Sequence, residues 1–218
     1  IRSSYYSPNS FSKLKNTNRA FLKPEHSFSI LHNNVRSLSL NLEKFQCHLL
    51  NELDYEFDII GITETKITNS NIPLILNLNL HSYFFEYVPT PLASGGVGMY
   101  INNKLKYSVL EKMSTDAYQA LWIEIRLHDK KNIVCGIIYR QHNSPNDFLS
   151  YFEQKIEEYS STGKLLYILG DFNIDLLKYE TCNFSKDFLL SLQSCYLFPT
   201  IDKPTRVYNN SATLIDNI

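Results

Sequence analysis

Cysteine is scarce here, and the four present, Cys47, Cys135, Cys182 and Cys195, include no Cys-x-x-Cys pair. That spacing excludes the common zinc frameworks and leaves a reducing, intracellular compartment, nucleus or cytoplasm, as the simplest expectation. Cys47 falls in a helical pattern and Cys135 in a strand pattern, so both read as small buried hydrophobes. No apolar run comes near the roughly 18 residues of a membrane span, and no secretory signal opens the chain, so no membrane association is expected. A Gly-x-Ser-x-Gly elbow, a Cys/His pair and a His-Glu-x-x-His helix are all missing, which removes the common hydrolase nucleophiles and zinc-peptidase chemistry. Charge of one sign is missing too. The net charge is −1 over 218 residues, so the whole chain makes no electrostatic case for a polyanion. The first residue is Ile rather than Met, which suggests a piece of a longer protein.

What is present suits one sizeable core. The chain is 44% hydrophobic and 20% charged, which excludes disorder throughout. Tyr and Phe are plentiful, in keeping with a β-rich interior or with stacking surfaces. Lys164 to Asn173, KLLYILGDFN, is the stretch around which the rest is arranged. Leu165 to Leu169 read as a strand buried on both faces. Gly170 then lets the backbone leave the strand, and Asp171 and Asn173 follow, on one side of any extended continuation. The same residues also make a plain turn, and the run alone does not choose between turn and site.

Residues 1–26 lack periodicity. Arg2, Lys13, Lys15, Arg19 and Lys23 face Glu25 alone, so this leader is net +4 and the rest net −5. It reads as a weakly ordered basic tail, with nucleic-acid contact as the functional alternative. Ser27–His32 is a strand ended by Asn33 and Asn34. Leu38, Leu42, Phe45, Leu49 and Leu53 fall at helical spacing. Phe57–Thr63 is a second buried strand, delivering Glu64. Residues 65–80 are loop plus a short helix, and Tyr83–Val88 is a strand. The Gly95-Gly96-Val97-Gly98 cluster precedes a strand, Met99–Asn102, and not a helix. It is therefore a turn or bulge and not a phosphate cradle. Ala120–Leu127 and Ile133–Tyr139 form a hairpin. Helices are predicted over 146–159 and 185–193, and a last strand over 213–218. No internal repeat is visible. The α/β pattern predicts two packed sheets with helices outside.

Polar residues recur at the ends of apolar strands: Asn34, Glu64, Tyr139 with Arg140, Asp171 with Asn173, and Asp216. Ligand groups gather at strand ends. A carboxylate and amides are hard oxygen ligands suited to Mg²⁺, with Mn²⁺ as an alternative. A second carboxylate can orient water, and amide and phenol donors can hold a phosphate as its charge builds.

The ordered set NNV, ITET, GGVGMYI, IIYR, ILGDFN and TLIDNI resembles the endonuclease/exonuclease/phosphatase superfamily. It is most similar to the abasic-endonuclease-type domain of non-LTR (LINE-like, jockey-type) retrotransposon polyproteins, over residues 27–218. The resemblance implies a four-layer α/β sandwich of two mixed sheets flanked by helices. It implies DNA as substrate, Mg²⁺ as cofactor and a C-terminal reverse transcriptase as neighbour. It places Asn34 and Glu64 at the metal, Glu64 as direct ligand. Tyr139 contacts the scissile phosphate, and Asn173 donates to the phosphate or transition state. Asp171 aligns or deprotonates water, or protonates the leaving oxygen. Asp216 matches an acid that orients a catalytic histidine. Arg36, Arg140 and Thr205 are candidate substrate contacts.

Two departures accompany the likeness. Arg36 stands where the superfamily often has Asp. The chain stops at Ile218, before the family's Ser-Asp-His strand, so an unpaired edge and weak or absent activity are expected. His26, His32, His48, His81 and His128 offer no replacement. His142 is three residues past Tyr139, and a solvated loop position is its simpler reading. A nicking endonuclease that leaves a 3′-hydroxyl to prime reverse transcription is the leading reading. A phospholipid or phosphoinositide phosphatase, and an inactive remnant that only binds nucleic acid or a partner, are the alternatives.

Overall fold

Apolar runs become strands in this chain because both of their faces find cover. The computed structural model describes residues 4–5, 9–10, 13, 28–71, 78–128, 130–142, 144, 147–209 and 211–218. In chain order come β1 (Ile30–Asn34), α1 (Leu38–Lys44), β2 (Ile59–Thr63), β3 (Tyr83–Val88), β4 (Val97–Asn102) and β5 (Lys106–Ser114). Then follow β6 (Tyr118–Arg126), β7 (Ile133–Arg140), α2 (Asp147–Ser160), β8 (Leu165–Asp171) and α3 (Asn183–Ser194). The chain closes with β9 (Arg206–Tyr208), β10 (Ser211–Thr213) and β11 (Asp216–Asn217).

Two mixed sheets result. The first has the order β1-β2-β4-β3, with β1 and β2 parallel. The second has the order β11-β8-β7-β6-β5, with β7 and β8 parallel. Side chains alternate across each strand, so every central strand feeds two layers. Ile59, Met99 and Ile101 of the first sheet meet Leu121, Ile123, Cys135, Ile137 and Leu169 of the second. Ile60, Ile62 and Tyr100 turn the other way, onto Leu38 of α1 and Phe45 just after it. Trp122, Val134 and Ile138 face α2 and α3 through Phe148, Phe152 and Phe188. This is the expected four-layer α/β sandwich.

Register positions the chemistry. Tyr139 lies opposite Asp171 across the β7–β8 pair, and Asp216 lies opposite Asp171 on the other side. In the first sheet Asn34 lies opposite Thr63, one residue before Glu64. Gly170 lets β7 and β8 approach, though not for the reason expected, since it stays inside β8. A Cβ there would sit 2.0 Å from the Ile138 carbonyl oxygen. Backbone cannot rotate aside, so Gly170→Ala should cost about 3 kcal/mol, the top of the overpacking range, read as a fall in the urea midpoint.

Several boundaries differ from the sequence reading. The first strand runs through Asn33 and Asn34, because pairing with Ile62 and Thr63 carries these poor strand formers. The helix predicted to reach Leu53 continues past α1, but through a π-helical stretch, Phe45–Leu50, and a last turn, Asn51–Leu53. Cys47 on that stretch is exposed, not buried. β5 was not foreseen. A register shift between Val109 and Glu111 breaks its alternation. The single strand predicted over 213–218 is split. Ser211–Thr213 closes a hairpin on β9, and only Asp216–Asn217 pairs with β8. Loop plus a short helix was expected over 65–80; residues 65–71 and 78–80 hold no helix, and 72–77 lie outside the described residues, as does most of the 1–26 leader.

Candidate active site

Asn34 is the joint of the site. Its Nδ2 donates to Glu64 Oε1 at 2.7 Å and to Asp171 Oδ2 at 2.8 Å. One amide therefore ties a carboxylate after β2 to a carboxylate at the end of β8, across the gap between the sheets. Its Oδ1 accepts the Arg36 backbone N–H at 3.3 Å, so both ends of the amide are used.

Glu64 is held in a left-handed turn, φ 52°. The next two N–H groups, of Thr65 and Lys66, donate to the carbonyls of Gly96 and Gly95 at 3.2 and 2.9 Å. The glycine pair has φ of 84° and 101°, and a Cβ on Gly96 would lie 2.4 Å from Thr65 Oγ1. Only glycine fits that double demand. The cluster read from the sequence as a turn entering a strand thus also braces the Glu64 turn. Arg36, Ser37, Lys66 and Asn173 likewise have positive φ. Non-glycine residues pay for that conformation, and such strain gathers at functional sites.

Asp171 is only 2% exposed. It accepts the Asn173 N–H on Oδ1 at 3.2 Å as well as the Asn34 amide. Burial, and then the charges of Asp216 and Glu64, push its pKa up to about 7 against the stabilising bonds from Asn173 and Asn34. Asp216 is raised as well, first by burial, while a hydrogen bond from Thr205 opposes the shift. Thr205 Oγ1 donates to Asp216 Oδ2 at 2.9 Å, and the other oxygen, Oδ1, is buried with no hydrogen-bond partner. His32 Nδ1 lies 4.0 Å from that oxygen, and burial lowers the His32 pKa to about 4. Tyr139 is pushed up to about 12 by burial and then by Glu64 and Asp171, so it remains a phenol donor at neutral pH.

These groups line one cleft of about 950 Å³. Asn34, Glu64, Tyr139, Asp171, Asn173 and Asp216, singled out at strand ends, all face it, and so do Arg36 and Thr205, which the family resemblance had suggested. Arg140 does not. Its guanidinium is buried against Phe184 and Phe148, on the helix side of the second sheet and away from the cleft lining. Strand alternation carried that signal, because neighbours on a strand point to opposite faces and Tyr139 takes the cleft side. Asn173 also departs from the extended continuation. Its φ is 49°, and its Nδ2 turns to donate to the Arg140 carbonyl at 2.7 Å. The cleft gains His32, His142 and Arg206, which the sequence reading had not placed there. His32 shares its strand face with Asn34, two residues on, which was the available clue. His142 was passed over as a loop residue. Arg206 had no local signal, since its hairpin was not foreseen. A second cavity of about 240 Å³ lies beside β8 and α3. Aromatic and aliphatic side chains dominate it, without a carboxylate, histidine or basic group.

Glu64 and Asn34 are the cleft residues that could hold a divalent cation. Three carboxylates crowd one another, an Asp216 oxygen is orphaned, and Asn34 holds Glu64 ready. Among the described residues no group of three His, Cys, Asp or Glu side chains makes a cage. One carboxylate and one amide could hold a hard divalent cation there, with water and phosphate oxygens supplying the rest.

This fold of two sheets with outer helices is shared with solved structures. AP endonuclease LMAP from Leishmania major superposes with a TM-score of 0.67 at 11% identity, covering 99% of this chain and 86% of that one. The endonuclease domain of TRAS1, a telomere-specific non-LTR retrotransposon, gives 0.59 at 13%, over 87% and 82%. The Xenopus laevis APE2 catalytic domain gives 0.59 at 14%, over 87% and 81%. At such identities the likeness is one of fold. No curated protein matches the sequence. Residues 30–218 match the Endonuclease/Exonuclease/phosphatase family, and the chain belongs to that family.

Proposed function

We propose that this chain is a Mg²⁺-dependent phosphodiesterase that nicks DNA and leaves a 3′-hydroxyl. In its parent non-LTR retroelement that end would prime a reverse transcriptase encoded C-terminal to it. The observation that carries the chemistry is the Asn34 amide joining Glu64 to Asp171. The fold shared with the TRAS1 endonuclease domain supports the retroelement setting.

Glu64 and Asn34 would hold the cation, Mg²⁺ or Mn²⁺. When bound, it supplies charge neutralisation at the scissile phosphate. Asp171 takes a proton from the attacking water or returns one to the leaving oxygen; its high pKa suits either direction near neutral pH. The water oxygen bonds to phosphorus, the P–O3′ bond breaks, and the 3′ oxygen leaves as a hydroxyl. Tyr139 and Asn173 donate to the phosphate oxygens as their charge grows. Asp216, held by Thr205, orients its neighbours. Arg36, Arg206 and His142 stand around the cleft where flanking phosphates would pass.

The test is a supercoiled plasmid with Mg²⁺ or Mn²⁺. Relaxed circles ending in 3′-hydroxyl are expected, with Glu64→Ala slowing their appearance by about 100-fold or more, on the scale of lost transition-state stabilisation. Nicking by Glu64→Ala at the wild-type rate would sink the metal assignment. Phosphate release from small phosphoesters without nicking would favour the superfamily's phosphatase branch. A 3′ phosphatase from Neisseria, bound to a DNA hairpin, has the same fold at a TM-score of 0.54.

A further inference from the structure

We infer that Arg140 is a positioning residue: its guanidinium pins the Asn173 carbonyl and, through that turn, the Asp171 carboxylate, without meeting substrate. The inference rests on reading Asp171 and Asn173 as the reacting pair. Arg140 is 6% exposed, and its Nε is buried with no hydrogen-bond partner. No carboxylate acts on it among the described residues, and burial alone pulls its pKa down. A buried cation without a counter-ion is expensive, so something must repay the desolvation. Here two carbonyls and two rings do. Nη1 donates to the Asn173 carbonyl at 3.3 Å and Nη2 to the Ser144 carbonyl at 3.2 Å. The guanidinium carbon lies 4.7 Å from the Phe184 ring centroid and 5.9 Å from that of Phe148.

The tie is reciprocal. Asn173 Nδ2 donates to the Arg140 carbonyl at 2.7 Å, so each side chain binds the other residue's backbone. Asn173 is held with φ 49°, and its N–H meets Asp171 Oδ1 at 3.2 Å. Without the guanidinium, the Asn173 carbonyl loses its donor and the strained turn loses one of its restraints. The Asp171 carboxylate then loses a fixed N–H. Lysine is a poor substitute. One ammonium cannot span the Asn173 and Ser144 carbonyls while lying flat on a ring.

Hydrogen exchange on the ¹⁵N-labelled full chain tests this without turnover. In Arg140→Ala and Arg140→Lys the Asn173 backbone and side-chain amides should exchange at least about 10-fold faster, a local-opening effect. Amides of Ile123 and Ile137 should not change. Unchanged Asn173 amides in both variants would overturn the inference, even if the function proposed above fails. The Lys variant keeps charge and bulk should the Ala variant not fold. In the nicking assay kcat should fall about 100-fold, the scale of a small misplacement, with KM unmoved and partial rescue of Arg140→Ala by added guanidinium ion. A raised KM with a shallower salt dependence would instead mean that Arg140 meets phosphate, and would equally overturn it.

Discussion

Asp171→Asn should slow phosphodiester cleavage by about 10²–10⁴-fold, the range for a lost general acid or base, while DNA binding stays within a few-fold. Asp171 sits at the centre of the register, with Tyr139 on one side and Asp216 on the other. It is the carboxylate that the Asn34 amide and the Asn173 N–H both address. Asparagine keeps its size and one acceptor but cannot carry a proton to or from an oxygen. On the function proposed above, binding would depend on other groups lining the cleft, such as Arg36 and Arg206. Single-turnover cleavage of a labelled duplex, with fluorescence anisotropy for binding, separates the two. Wild-type cleavage by the variant would remove Asp171 from the mechanism.

Relative to wild type, the same substitution should move the metal-free fold from a small loss of stability in acid to a net gain near neutral pH. The sign follows from proton counting. Asp171 moves from an ordinary 3.8 to about 7 on folding. Below pH 4 both states hold the proton, and Asp171 contributes nothing. Between about 4 and 7 the folded chain holds a proton that the unfolded chain has released, so stability falls with rising pH. Above 7 the whole penalty is present. His32 runs the other way: its pKa falls from 6.5 to about 4, so acidification through that window destabilises. The raw pH profile therefore mixes opposing slopes, and the difference between wild type and variant isolates Asp171. Asparagine gives up one accepted hydrogen bond, about 1 kcal/mol at every pH. Against that constant loss its advantage should grow by up to about 1.4 kcal/mol per pH unit between 4 and 7. Urea midpoints at pH 5, 6, 7 and 8 with chelator read this directly, and a gap independent of pH would refute it.

Local pattern was enough for much of the frame. Ile59–Ile62 is an apolar run covered on both faces, whereas Leu165–Leu169, expected to be the same, is covered fully only from Ile168 on, with Leu165 exposed; both runs need no partner to be recognised. The helices expected over 146–159 and 185–193 were likewise visible, and form as Asp147–Ser160 and Asn183–Ser194. β5 was hidden by its own bulge, and the 211–217 segment by changing partners halfway. Both depend on what lies alongside.

The residue types of the site, and their standing at strand ends, were decided by the chain's own order: acid, amide and phenol follow apolar runs too regularly for packing. The contacts among them were not. Asn34 meets Asp171 across 137 residues, a bond that exists only because two sheets stack. Which side of its strand the Arg140 side chain takes, and whether His32 faced Asp216, was decided by which side of a strand is covered, a property of the assembled layers.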